Sequence, residues 1–194
     1  MTHETETLLP AAANGGRAAG PPQPDAGSVL GRLRARRDDL AQDHHLDLDI
    51  PGYDGDLVAR YRPLTAAEQT RIAAKVERAD RLAGNDEQAA EAQLRTALDT
   101  IIAACVEILV REDGVMVPLA EITGASAPVR YDQALADALG IPGADSARAV
   151  VRGVFPRDSH GDVVPQPVNR HANEVAAWMA RIGSDVDGDL LGEA

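Results

Sequence analysis

The chain has 194 residues, a formal net charge of −12 at pH 7 and 44% hydrophobic residues, many of them alanine. That length suits a single domain with appendages. A negative balance with few aromatics argues against a nucleic-acid binder, which needs a positive footprint and stacking rings, and against docking on an anionic membrane.

Residues 1–27 carry Pro10, Pro21, Pro22 and Pro24 among Gly, Ala, Thr and Glu. Such a segment buries too little apolar surface to offset its ordering entropy, and a disordered tail is expected. It also lacks the apolar core of a secretory leader. Ser28 can cap a short helix with Leu30, Leu33 and Leu40 on one side. Arg32, Arg34, Arg36 and Arg37 fall mostly on the others, and Asp38, Asp39 and Asp43 offset most of their charge. A solvated helix face fits this better than a phosphate site.

Leu46-Asp47-Leu48-Asp49-Ile50 alternates as a half-buried strand does, and Pro51 to Asp56 reads as a turn before a second strand, Leu57 to Arg62. Pairing Leu48 with Ala59 and Leu46 with Tyr61 puts Asp47 opposite Arg60 on the other face. Both faces are then chemically consistent, which fixes the register. A lone hairpin is marginal in water, so it must lie on a helix or gain another strand.

Thr65 and Glu68 form a capping-box pattern, and a helix is expected from there to about Ala83, with Ile72, Val76, Ala79 and Leu82 on its inner edge. Asn85 or Asp86 caps the next helix. In the stretch Leu94 to Val110, Leu94, Leu98, Ile101, Cys105 and Ile108 step by four, three, four and three. This spacing predicts one long helix with a wide apolar stripe, antiparallel to the helix before it. Val115-Met116-Val117 predicts a short strand that Pro118 confines to an edge or an end. Leu119 to Ile122 reads as a helical turn. Short helices are expected from Tyr131 to Leu139 and from Asp145 or Ser146 onward, the second carrying Val150, Val151, Val154 and Phe155. After a loop from Pro156 to Pro167, Asn169 is expected to cap a last helix, with Val168, Ala172, Val175, Met179 and Ile182 along one side and Trp178 beside Met179. The acidic stretch 183–194 reads as a flexible tail.

Constellations with chemical meaning are sparse. Asp185-Val186-Asp187-Gly188-Asp189 alternates like a calcium loop, but glycine comes at the fourth position instead of the sixth. Strand alternation splits His44 from His45, Asp47 and Asp49, so no metal is expected there. Cys105 lies within the apolar stripe and reads as a small core residue. As the one cysteine, it makes no internal disulfide, which fits a reducing compartment. No nucleotide-binding glycine motif, nucleophile elbow or metal signature is present, so an enzyme is not expected, and no cofactor. No apolar run approaches the roughly 20 residues of a membrane span. Val175, Trp178, Met179 and Ile182 are the candidate partner-binding residues, because Trp and Met are enriched at adaptable surfaces. The competing reading, that Trp178 and Met179 pack into the core, is the favoured one.

Three stretches carry a family resemblance. They are Leu33-Arg34-Ala35-Arg36-Arg37-Asp38-Asp39-Leu40, Leu46 through Tyr53, and Leu57-Val58-Ala59-Arg60-Tyr61-Arg62-Pro63-Leu64. Together they resemble the opening of tail assembly chaperones from tailed, siphovirus-type phages of actinobacteria. Pro128 to Asp132, Val150 to Phe155 and Glu174 to Met179 look like the same kind of protein. Lys75 is the only lysine beside 18 arginines, a bias that agrees with a high-GC source. The resemblance implies a non-enzymatic protein of the host cytoplasm, absent from the mature virion. It implies binding to the tape measure protein and recruitment of tail tube subunits, and it supplies no catalytic residues. A longer, frameshifted form is common in that family. The physics is compatible, since an acidic protein with helical grooves can cover exposed apolar helices while its charge limits self-association. Two rivals stand beside this reading: a virion component such as a head–tail connector or tail terminator, and an acidic regulatory protein or DNA mimic. The sequence leaves a homo-oligomer open.

The expected architecture is α+β, mainly α: an N-terminal β-hairpin, an antiparallel helix pair and further C-terminal helices, forming one domain over residues 28–182.

Overall fold

The computed structural model describes residues 44–82 and 84–191, preceded by Val29, Gly31, Arg32, Ala35 and Asp39. The readings placed on 1–28, and on most of the arginine-rich stretch, lie outside the described residues. The fold is α+β and mainly α. Strands β1 (Leu46–Asp49) and β2 (Leu57–Tyr61) form the hairpin, followed by helices α1 (Ala66–Leu82) and α2 (Asp86–Ala104). Strands β3 (Cys105–Glu112) and β4 (Val115–Pro118) come next, then helices α3 (Leu119–Thr123), α4 (Gln133–Leu139), α5 (Ala147–Val154) and α6 (Pro165–Leu191).

The four strands make one antiparallel sheet in the order β1-β2-β3-β4. The hairpin has the register that its alternation dictates, with Leu46 opposite Tyr61, Asp47 opposite Arg60 and Leu48 opposite Ala59. Gly55 turns the tip at φ +85°, where a Cβ would come within 2.7 Å of Arg111 Nη1, a side chain that reaches Asp49 at 3.1 Å. The strand that the hairpin needed is β3, and here the sequence expectation is corrected. The helix of Leu94 stops at Ala104, and Cys105 to Glu112 is the strand between β2 and β4. Val106, Ile108 and Val110 are β-branched, and the pairing of Leu57 with Val110 and Ala59 with Ile108 overrides a helical spacing that looked continuous. β4 is an edge strand that ends at Pro118, as its proline requires. The extended segment before α4 continues beside β3, with the Ile108 amide donating to the Val129 carbonyl at 2.8 Å.

One face of the sheet carries the core. Ala59, Tyr61 and Ile108 meet Leu98 and Ile101 of α2, Leu135 of α4, Val151 of α5, and Val168 and Val175 of α6 in one buried cluster that also takes Phe155. The other face is crossed by an ion row, Asp47–Arg60–Glu107, with both bridges at 2.8 Å. Val58 and Leu109, paired across β2 and β3, are buried on that face, apart from the main cluster.

Local capping signals are realised in the structure. Thr65 Oγ1 accepts from the Glu68 amide at 3.3 Å, and Glu68 Oε2 accepts from the Thr65 amide at 2.9 Å. Asn85 caps α2, Asp132 caps α4 and Ser146 caps α5. Two boundaries differ from the sequence reading. The last helix begins at Pro165 instead of Asn169, and its backbone stays helical through Leu191, past the expected start of the tail.

Candidate functional site

The four residues singled out in the sequence share one flank of α6 at i, i+3, i+4 and i+7. That flank faces inward. Val175 is fully buried and Trp178 is 8% exposed, both within the core cluster. Met179 and Ile182 are half-buried and pack against it. The Met179 sulfur accepts the Leu64 amide at 3.3 Å, pinning the helix to the segment that enters α1. Little of the Trp178 ring is therefore open to a partner in this conformation.

Beside this flank lies a buried polar cluster that sequence reasoning missed. The Tyr61 hydroxyl sits 2.8 Å from the Tyr131 hydroxyl and 2.7 Å from His171 Nε2. The His171 ring stands edge-on to both Tyr61 and Phe155, with centroids 5.4 and 5.3 Å away. Burial pushes both tyrosines well above their ordinary value, so they keep their protons. Burial pushes His171 down to about 4, only partly offset by the Glu174 charge, so the imidazole is neutral at pH 7. Cys105 is also buried, and its thiol is pushed up to about 12. These groups hydrogen-bond within the core and present no activated nucleophile. The only hint in the sequence was a histidine in the apolar register of the last helix.

The histidines and acids weighed as metal ligands are not gathered. His44 and His45 are exposed, Asp47 is bound to Arg60, and Asp49 is bound to Arg111. Among the described residues, no group of three His, Cys, Asp or Glu is placed to hold a metal ion. The acids from Asp185 to Asp189 lie on the helical backbone of α6, and their side chains are outside the described residues.

The most open feature is the pair α1 and α2. Among the described elements, α1 packs mainly on α2, through the half-buried Ile72, Val76 and Ala79. The first two turns of α2 are exposed, and burial begins in earnest at Leu94. Together the two helices form an arm. Arg62 holds its base: its side chain bridges Glu68 at 2.8 Å, and its amide donates to the Ala104 carbonyl at 2.9 Å.

A groove of about 780 Å³ runs along the arm, floored by Ala79, Ala92 and Thr96. Its walls are charged in an uneven way. Asp99 is shared by Lys75 at 2.8 Å and Arg148 at 2.6 Å. Glu91 is shared by Arg95 and Arg152, each at 3.0 Å. Burial alone would raise the Asp99 carboxyl, but its two cations outweigh that and hold it below its ordinary value. Arg78 lines the groove, is exposed and has no ion pair among the described residues. The sequence showed the inner edge of α1 but not that so little would cover the rest, because coverage depends on how the later helices pack.

Comparison with family models, with curated proteins and with solved structures finds no match for this chain.

Proposed function

We propose that this chain is a non-enzymatic tail assembly chaperone of a siphovirus-type phage of actinobacteria. In this reading it binds the tape measure protein in the host cytoplasm before the tail tube encloses it, and helps recruit tail tube subunits. The observation that carries the reading is the arm. Two helices lie side by side with a small-residue groove between them, which suits docking of a further helix. A tape measure offers long apolar helical stripes of that kind. The net charge of −12 limits the self-association of a protein with such a surface. The sequence resemblance over the hairpin, whose strands pair in the expected register, points the same way.

A tagged pull-down from producing cells, read by mass spectrometry beside purified particles, tests the proposal. Recovery of the tape measure with the chain, and absence of the chain from particles, is the expected result. Stoichiometric presence in particles without tape measure in the pull-down would replace this reading with a head–tail connector or tail terminator.

A further inference from the structure

We infer that the groove between α1 and α2 receives one partner helix of a specific chemistry: small side chains on the seated face and carboxylates along its edges. The inference rests on the chaperone reading for the identity of the partner, but its chemistry comes from the groove alone. Two acids, Glu91 and Asp99, are each shared by two cations. Adding Arg78, which has no ion pair among the described residues, gives four cations on the lining (Lys75, Arg78, Arg95 and Arg148) against three carboxylates, with Arg152 reaching Glu91 from outside it, in a chain whose net charge is −12. The only other carboxylate on the lining is Glu87, which is exposed. Local charge thus runs opposite to the global charge.

An arginine has five donors, and those sharing one carboxylate between two cations keep donors unused. Carboxylates brought along the rim would complete them. The floor, Ala79, Ala92 and Thr96, carries only small side chains, so a helix that also presents small residues there can make the closest approach. The arm sets the length: α1 has 17 residues, about 25 Å of helix. A long polyanion is disfavoured, because the overall negative charge repels it beyond contact range. Isolated carboxylates on a helix feel mainly the cations within the ~8 Å screening length.

The test is site-specific photo-cross-linking in cells expressing the full chain from its native locus. A benzophenone amino acid replaces Glu87 on the groove rim, or Ile122, which is exposed on α3. The expected result is an adduct at position 87 that maps to an alanine-rich, acid-edged helical segment of the tape measure protein. Arg78→Glu should lower its yield about fivefold, while Arg71→Glu, on the same helix but off the groove lining, should leave it. Circular dichroism on both variants confirms that they fold. No adduct at position 87, an adduct to a second copy or to a basic segment, or indifference to Arg78→Glu overturns the inference. Tape measure captured through position 122 with nothing at 87 leaves the chaperone reading standing and removes the groove. An acid-edged helix from some other protein at position 87 keeps the groove and removes the chaperone reading.

Discussion

Tyr61 is the residue on which most of the interior's polar chemistry turns. Its hydroxyl serves Tyr131 and His171 at once, and both partners are buried. Tyr61→Phe leaves the ring packing intact but removes the shared group, so a loss of about 1–3 kcal/mol in urea unfolding is expected. A change below a few tenths of a kcal/mol would mean the cluster contributes nothing net. His171 adds a pH signature. Its pKa is displaced downward, from 6.5 to about 4, so the unfolded chain takes up a proton across that window and the folded chain does not. Stability is full above pH 6.5 and falls as the pH drops towards 4, by roughly 3 kcal/mol in all. Glu68 acts lower. Hydrogen bonds from Arg62 hold it at about 2, so its contribution is present above its ordinary value of 4.5 and fades as the pH falls to 2. In urea titrations at stepped pH, His171→Phe should flatten the first window and leave the second. A slope unchanged in the variant would assign the first window to another group.

At the scale of elements, Gly153 shows how tightly α5 is set. A Cβ there would overlap the Ile141 side chain, so Gly153→Ala should lower stability by about 1–3 kcal/mol, read as a drop in the thermal midpoint. The helices with strong end signals were legible from sequence, because Thr65, Asn85, Asp132 and Ser146 act within a few residues of themselves. The hairpin was legible too, since Asp47 and Arg60 on one face and Leu48 and Ala59 on the other admit one register. The central strand was not. Cys105 and Ile108 fall in step with Leu98 and Ile101, and both are buried whichever element holds them. What decides their conformation is pairing with β2, more than 40 residues away in sequence. The arm groove was half legible for a related reason. Apolar spacing shows which edge of α1 turns inward, but the groove's cation surplus depends on Arg148, and on Arg152 outside the lining, both from α5.

For the whole molecule, the core's single thiol is a reporter of opening. Cys105 is buried at the start of β3 and its pKa is pushed up to about 12. Alkylation at pH 8 should therefore run roughly a hundredfold or more slower in the native protein than in denaturant. Comparable rates would place the thiol in a region that opens locally. That position matters because α2 passes into β3 with no residue between them, Ala104 closing the helix and Cys105 opening the strand. Here the inner end of the arm runs without a break into the middle of the fabric, between β2 and β4. Torque applied near Asn85 is delivered as a twist of the sheet, so loading the arm should alter amide hydrogen exchange at Ile108 and Leu109, far from the point of contact.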